Sequence, residues 1–414
     1  MKRILFLGGS PTQIPPLVYA RKQGHYVITC DYLPDNPGHA YADEYHNIST
    51  TDKEAVLALA SRLKIDGIVA YASDPAAPTA AYVAEKLDLP GNPYKSVEIL
   101  ARKDLFRAFL RENGFNVPRS QSFYRLDEAK RWLDEINTPV FVKPVDSSGS
   151  KGVTELTDKS RLEEAFNHAL QFSREKKVVV EEAIVRTGHQ VAGDGFIVDG
   201  KLVFRCWADE NFDELCNGLV PIGQTFPTSH PKEWLDIAHA ESQRLLTLLG
   251  MKTGALNFDF LFDENGNFYF LELGPRNGGC QIPEVIRYST GVDLIKYTVD
   301  AAIGLDCSDL TMQPTSGYWS SYMLHALEDG IFKGVHISEK ARQYIVESEI
   351  YAKPGDRVSR FAGSHHTLGT MILQYPSLKE MMDMMDHMER DIRVMVQQTS
   401  TSCADLVDFS VRSA

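Results

Sequence analysis

The chain has 414 residues, more than one hydrophobic core ordinarily serves, so two or three domains are expected. With 43% hydrophobic and 24% charged residues it has the make-up of a soluble globular enzyme, and a net charge of −13 argues against nucleic acid as the main partner. No stretch approaches the roughly 20 apolar residues of a membrane span, and Cys30, Cys206, Cys216, Cys280, Cys307 and Cys403 form no CxxC pair, so reduced thiols in a cytoplasm are expected.

Residues 2–7 read as a buried strand, Gly8-Gly9-Ser10 as a turn, 17–23 as a helix ended by Gly24, and 26–30 as a second strand closed by Asp31. A helix over 52–63, a strand at 66–71 and a helix over about 76–87 continue the alternation of an α/β unit with a parallel sheet. The opening is similar to a dinucleotide fingerprint with Asp31 placed to meet a ribose. However, Gly8-Gly9-Ser10-Pro11 lacks the third glycine of G-x-G-x-x-G, and a turn of purely steric origin is the alternative. Next come a helix over 102–113, a strand at 140–143, a polar loop at 146–152, a helix over 158–174 and a buried strand at 178–182. Helices over 232–249 and 292–303 flank a hairpin. Beyond about 310 the pattern turns to shorter strands at 318–325, 347–352 and 368–374 and a last helix over 377–397. In that helix Met381, Met382, Met385, Met388 and Met395, with Leu378 and Ile392, fall at helical spacing as a packing face.

The hairpin carries the strongest chemical signal. Residues 255–263 and 268–273 alternate, and Asn265-Gly266 between them is a two-residue turn signal. Such a turn sets Asp259 directly opposite Glu272 on one face, with Leu256, Phe258, Phe260, Phe262, Tyr269, Leu271 and Leu273 on the other. Directly opposed like charges destabilise a sheet. Either that face simply meets water, or a cation lies between the carboxylates. A few hard oxygen donors suit Mg²⁺ shared with a phosphorylated ligand.

Three other segments are candidates. Asp146-Ser-Ser-Gly-Ser-Lys-Gly152 follows Lys143 at a strand end and is able to turn several N–H groups toward one anion, or it is a flexible surface turn. The exit of strand 178–182, through Ala183 and Ile184, suits an adenine edge, or Glu181 and Glu182 merely solvate the strand end. Arg276 suits bidentate binding of carboxylate or phosphate, or a surface ion pair.

Taken in order, Arg102-Lys103-Asp104, Val142-Lys143-Pro144, Ser147 to Val153, Glu181-Glu182, Asp259 and Glu272 to Arg276 resemble the ATP-grasp superfamily, in its carboxylate–amine ligase and carbamoyl-phosphate-synthase-like branch. The resemblance is close over about 1–310 and loose beyond. It implies an α/β and α+β architecture: a Rossmann-like α/β domain over 1–100, an ATP-grasp domain over 101–310 with a lid at about 140–200, and a C-terminal α+β subdomain over 311–414. It also implies ATP as ligand. Lys103 and Lys143 would contact its phosphates, and Ser147, Ser148, Gly149, Ser150 and Gly152 would close over them. Glu181, Glu182, Ala183 and Ile184 would hold adenine. Asp259 and Glu272 would hold Mg²⁺, with Mn²⁺ as an alternative ion, and Arg276 would face the transferring phosphoryl group or the substrate carboxylate.

Three positions depart from the family. Gly274 stands where an asparagine ligand is usual, and Asn257, opposite it in the hairpin, is placed to supply the missing oxygen, directly or through water, or else to hydrogen-bond and orient Asp259 or Arg276. Asp259 replaces the more usual glutamate. Gly188-His189-Gln190 stands where a ribose-binding glutamate is common, so His189 or Gln190 substitutes for it or His189 is an ordinary loop histidine. The implied reaction is attack of a substrate carboxylate on the γ-phosphate, then displacement of phosphate from the acyl phosphate by an amine. A carboxyphosphate-type carboxylase, a nicotinamide-dependent oxidoreductase and a nucleotide-binding module without turnover are the competing readings. The expected partners are small-molecule carboxylates and amines, with neither nucleic acid nor membrane, and a homodimer is admissible. Segments 71–78, 206–223 and 277–284 are candidates to line the substrate pocket. His365-His366 is a further candidate, but neighbours on a strand face opposite ways, so they are not a metal pair.

Overall fold

A computed structural model describes residues 1–398, so Cys403 lies outside the described residues. Among these residues the strands form four sheets, and no helix is long and apolar enough to cross a membrane. The first sheet is parallel, with β1 (Arg3–Leu7), β2 (Tyr26–Cys30), β3 (Glu44–His46) and β4 (Gly67–Val69) in the order β3-β2-β1-β4. Ile4, Leu5, Phe6 and Leu7 are all buried because helices cover both faces, which is why β1 reads as a continuous apolar run. Its glycine turn is filled by the chain itself. Gly8 has φ +118°, and a Cβ there would lie 2.2 Å from Gln13 Oε1. Gln13 in turn accepts from Ser10 N and donates to the carbonyls of Leu7 and Tyr71. Asp31 is buried and accepts from Leu33 N and Asn36 Nδ2. The turn is therefore steric in origin, and both features a dinucleotide would use are engaged within the protein.

The second sheet is antiparallel: β5 (Ser120–Phe123), β6 (Val140–Pro144), β7 (Thr154–Leu156) and β8 (Val178–Glu182), in the order β5-β8-β6-β7. Val140, Val142, Val178 and Val180 pack with Phe123, Leu133 and Phe166 beneath it. The third sheet spans eight strands. β9 (Val191–Val198), β10 (Lys201–Phe212), β11 (Pro221–Phe226), β12 (Gly254–Phe262) and β13 (Phe268–Gly274) are joined by β14 (Tyr318–Leu324). After β15 (Gly330–Ile337) come β16 (Ile345–Ile350), β17 (Arg357–Val358), β18 (Gly369–Tyr375) and β19 (Ile392–Gln397). The order β13-β12-β9-β10-β11-β14-β18-β16 carries the sheet without a break across residue 310, while β17-β15-β19 forms the fourth sheet.

Two sequence expectations need correction. The last helix ends early: Leu378–Met385 and the short turn Met388–Asp391 are helical, but residues 392–397 are β19, paired with β15. Met381, Met385 and Met388 do pack inward, whereas Met395 is exposed. Ile392, Val394 and Val396 alternate inward with period two, and β-branched residues favour that conformation. His365 and His366 lie in the 3-10 turn Ser364–His366 with their rings 4.0 Å apart, not on a strand.

The hairpin reaches the expected register by a different route. Asp263 N bonds Asn267 O and Gly266, at φ +77°, bonds Asp263 O, so the loop holds three residues. A bulge between Asp259 and Phe260 absorbs the extra residue, and Asn257, Phe258 and Asp259 come opposite Gly274, Leu273 and Glu272. Between bulge and turn the faces are exchanged. Phe268 and Phe270 enter the aromatic core with Phe106, Phe258, Phe260 and Phe262, while Tyr269 and Leu271, expected there, lie outside it.

Candidate active site

The helix Lys103–Glu112 begins after an extended break at Arg102, which sets Lys103 at its first turn with its own N–H on Val145 O, 2.8 Å away. Lys103 Nζ donates to Ser147 O at 2.6 Å and forms an ion pair with Glu272. One turn further on is Arg107, which sequence reasoning missed although it lies four residues after Lys103. It is buried and grips Glu181 through two N–H groups, at 2.5 and 3.2 Å. Its remaining edge donates to Leu271 O at 3.0 Å, the carbonyl of the bulged residue. A bulge leaves that carbonyl without its ladder partner, so Arg107 ties helix, β8 and hairpin together.

Lys143 on β6 donates to Glu181 Oε1 at 2.9 Å. Burial pushes the Glu181 carboxyl up, but the Arg107 and Lys143 charges prevail and hold it down at about 2. Glu182 lies half-buried beside Arg119, and the N–H groups of Glu182 and Ala183 bond Arg119 O and Pro139 O. Ile184 follows at the strand exit, on the loop whose Thr187 N bonds Phe262 O of the hairpin. His189 Nδ1 lies 3.4 Å from Glu210 O.

Asp259 and Glu272 stand opposite each other beside the bulge, both half-buried. Burial first, and then the Glu272 charge, push the Asp259 carboxyl up to about 7. Lys103 sits on Glu272 and not on Asp259, which leaves the repulsion to be relieved at Asp259. Gln190 spans Asp259 and a third carboxyl that sequence reasoning missed, donating to Glu210 Oε2 at 2.6 Å and Asp259 Oδ1 at 3.4 Å. Glu210 is buried on β10 and is pushed upward by that burial and by Asp259. Among the described residues no group of three or more His, Cys, Asp and Glu encloses an ion. Two opposed carboxylates with oxygen donors only fit Mg²⁺ completed by phosphate and water.

Arg276 is held rigidly just past β13. Nε and Nη2 form a bidentate pair with Asp74 at 2.8 and 2.6 Å, and Nη1 donates to Asn257 Oδ1 at 2.7 Å and Asn277 O at 2.9 Å. Asn257 passes its own N–H to Asp194 Oδ1 at 2.9 Å, so of the two expected roles its amide oxygen takes the orienting one, on Arg276, and not that of a metal ligand. The departure at Gly274 has a spatial cause. A Cβ there would lie 2.9 Å from Asp74 Oδ1 and 3.1 Å from Arg276 Cζ. An asparagine at 274 would require the Asp74–Arg276 pair to shift from this arrangement.

The loop 147–152 leaves β6 with Gly149 at φ +64°, Ser150 at +57° and Gly152 at +75°. Asp146 at its root accepts from Ser173 Oγ and from the N–H groups of Arg174 and Glu175. Ser147 Oγ donates to Lys151 O across the loop, with Ser148 half-buried beside it. A Cβ on Gly149 would lie 2.1 Å from Ser364 Oγ, and one on Gly152 would lie 2.9 Å from Pro144 Cγ. The loop therefore rests against the turn that carries His365 and His366, and its glycines are required by the protein before any phosphate is considered.

The comparisons agree with this geometry. Residues 102–310 match the family described as carbamoyl-phosphate synthase L chain, ATP binding domain, and residues 322–397 match L-amino acid ligase C-terminal domain 2. Uncharacterized protein y4rH of Sinorhizobium fredii is 27% identical over 346 residues, covering 81% of this chain and 70% of that protein. The carbamoyl phosphate synthase large chain, N-terminal section, of Methanopyrus kandleri is 26% identical over 238 residues, covering 55% of this chain and 40% of that one. The chain thus spans well under two thirds of that synthase section. Two solved structures share the fold: the L-amino acid ligase from Bacillus licheniformis (TM-score 0.80, 20% identity, 96% of this chain and 99% of that one) and the phosphoribosylglycinamide synthetase from Anaerococcus prevotii (TM-score 0.74, 20% identity, 96% and 100%). The family match covers half of the chain and spans Lys103, Lys143, the loop and both hairpin carboxylates: this protein belongs to the ATP-grasp superfamily, in its carbamoyl-phosphate-synthase-like carboxylate–amine ligase branch.

Proposed function

We propose that this protein joins a carboxylate to an amine at the expense of ATP, through an acyl phosphate. The observation that carries this reading is the opposed pair Asp259 and Glu272, flanked by Lys103 and within one hydrogen-bond network of Gln190 and Glu210. The match of residues 322–397 to an L-amino acid ligase domain supports it. In this reading 1–100, 101–310 and the segment from 311 onward are the three functional units.

Each residue has a part. Asp259 and Glu272 hold the magnesium ion, which when bound neutralises phosphate charge. Lys103 and Lys143, both engaged by carboxylates here, turn their ammonium groups to the phosphates. The exit of β8, from Glu181 to Ile184, receives the base. Asn257 and Asp74 fix the guanidinium of Arg276 so that its one remaining N–H, on Nη2, and its charge meet the substrate carboxylate or the transferring phosphoryl group. Loop 147–152 excludes water, which would otherwise hydrolyse the acyl phosphate. Phosphoryl transfer of this kind is mainly positioning and charge neutralisation.

The test is ADP release by the purified chain with Mg²⁺ATP and a panel of carboxylic acids, with hydroxylamine as a trap. Acid-dependent ADP release that yields a hydroxamate supports the proposal. ADP release driven by bicarbonate alone would assign the chain to carboxyphosphate chemistry, and nucleotide binding without turnover would remove the reaction.

A further inference from the structure

Just past Arg276 in the chain begins a group of buried polar residues to which the proposed function gives no part in nucleotide binding, and Cys280 feels the charges of both Arg276 and Glu284. The group centres on the helix Ile282–Thr290. Glu284, in its first turn, is 7% exposed, and Gln281, its N-cap, is 8% exposed and held at φ +61°. These two lie three residues apart, which places them on one side of the helix entry. Gln281 Nε2 donates to Glu347 Oε1 of β16 at 3.2 Å, and Tyr288 Oη donates to Glu347 Oε2 at 3.0 Å. Because that amide must present its nitrogen to a carboxylate, its oxygen is the end left over. Gln281 Oε1 is buried and has no hydrogen-bond partner. The hydroxyl of Tyr71, 3% exposed in the loop after β4, is likewise buried without a partner. Glu284 is the charge that acts most strongly on that hydroxyl.

An unpartnered buried oxygen is costly to a protein, and here two adjoin an unpaired buried carboxyl. Glu284 is in no ion pair and accepts no side-chain hydrogen bond among the described residues. The charges of Glu347, Arg287 and Asp194 act on it, and its own charge acts on Tyr351 and Cys280. What the group offers is three acceptors: a carboxylate, an amide oxygen and a phenol oxygen. That set complements a primary ammonium group, which carries one positive charge and three N–H donors. A carboxylate or phosphate ligand would meet repulsion at Glu284 and Glu347.

We infer that Glu284, Gln281 and Tyr71 form the subsite for the amine substrate, which enters as a primary ammonium ion beside Arg276. This rests on the ligase reading and names the place and charge state of its second substrate. Burial pushes the Glu284 carboxyl up to about 7, the response of a carboxylate whose counter-ion is not part of the chain.

The test is calorimetric binding to the full chain without ATP, with L-alaninamide as probe. Tetramethylammonium serves as a probe of the same charge without N–H donors. The expected result is one-site binding of L-alaninamide, weakened at least twentyfold by E284Q and about fivefold by Y71F and by Q281L, with no binding of tetramethylammonium. Circular dichroism checks that each variant is folded, and Y71F removes only an oxygen that is unpartnered already. Equal affinity of L-alaninamide for wild type and all three variants would overturn the subsite, as would equal binding of tetramethylammonium or no binding of L-alaninamide. If hydroxamate formation fails while E284Q still loses L-alaninamide, the ligase reading falls and the ammonium subsite stands.

Discussion

Glu181 and Glu284 are carboxyls sealed from water to a similar degree, 3% and 7% exposed, yet one is held at about 2 and the other lifted to about 7. The difference lies in what meets them. Arg107 and Lys143 both reach Glu181, and together they turn it into a permanent charge that fastens three elements. Glu284 is in no ion pair among the described residues, and the opposing charge of Arg287 does not offset burial and the charges of Glu347 and Asp194. A buried carboxylate with two cations belongs to the architecture. One with none keeps a place for a ligand. Asp259, half-buried opposite Glu272, is likewise lifted to about 7, by burial and then by the Glu272 charge.

The largest effect is expected where the missing cation is a metal. Asp259→Asn and Glu272→Gln should each lower magnesium-dependent ADP release by on the order of a thousandfold, about 4 kcal/mol of barrier. Asp259→Asn should at the same time raise stability in urea by roughly 0.5–1 kcal/mol, since it removes one of two opposed like charges. Turnover at the wild-type rate would remove Asp259 from the metal site. Next in size is Arg107→Ala, which strips Glu181 of one cation and orphans the Leu271 carbonyl. Breaking a buried pair from one side costs about 3 kcal/mol or more, read from the urea midpoint. A loss under about 1 kcal/mol, the worth of an exposed pair, would erase the contrast with Glu284.

A smaller, graded effect comes with pH. Glu181 titrates below its ordinary value of 4.5, so its contribution to stability is fully present above about 4.5 and is lost as pH falls through about 2. The stability gap between wild type and Glu181→Gln should therefore close as pH is lowered over that window. A constant gap would mean that the charge on Glu181 is not what stabilises. Smallest is Asn257→Ala, expected to cost about 1–2 kcal/mol of stability through the hydrogen bonds lost to Arg276 and Asp194. Its effect on the Mg²⁺ concentration needed for half-maximal turnover should be small if the amide serves the arginine. A tenfold rise would restore Asn257 to the metal.

Local pattern explains what the sequence showed and distance explains what it hid. Alternation alone placed Asp259 opposite Glu272, and that pairing survived a wrong turn because a compensating bulge restored the register. The same slip sent Tyr269 and Leu271 to the wrong face, since a one-residue offset in a strand exchanges its sides. The methionine spacing ran on smoothly past His387 and masked the two-residue alternation of Ile392, Val394 and Val396. Arg107 and Asp194 carried no local signal, while Asp74 and Glu210 were not singled out within the segments 71–78 and 206–223 expected to line the substrate pocket. Asp74 meets Arg276 across 202 positions of chain, and only the closed fold brings them together.

Gly274 leaves room for that long-range contact, and this bears on how far the chain can be treated as a set of interchangeable modules. The carboxylate of Asp74 belongs to the loop after the parallel sheet, yet a Cβ at 274 would lie 2.9 Å from its Oδ1 and press it out of place. Arg276, proposed to face the reacting groups, is thus set by a residue 202 positions upstream. A chimaera carrying a foreign first unit would keep Lys103 and Lys143, proposed to contact the nucleotide, and lose the aim of its guanidinium. Recombination at residue 100 is therefore expected to yield proteins that bind nucleotide and do not turn over, unless the loop carrying Asp74 travels with the hairpin.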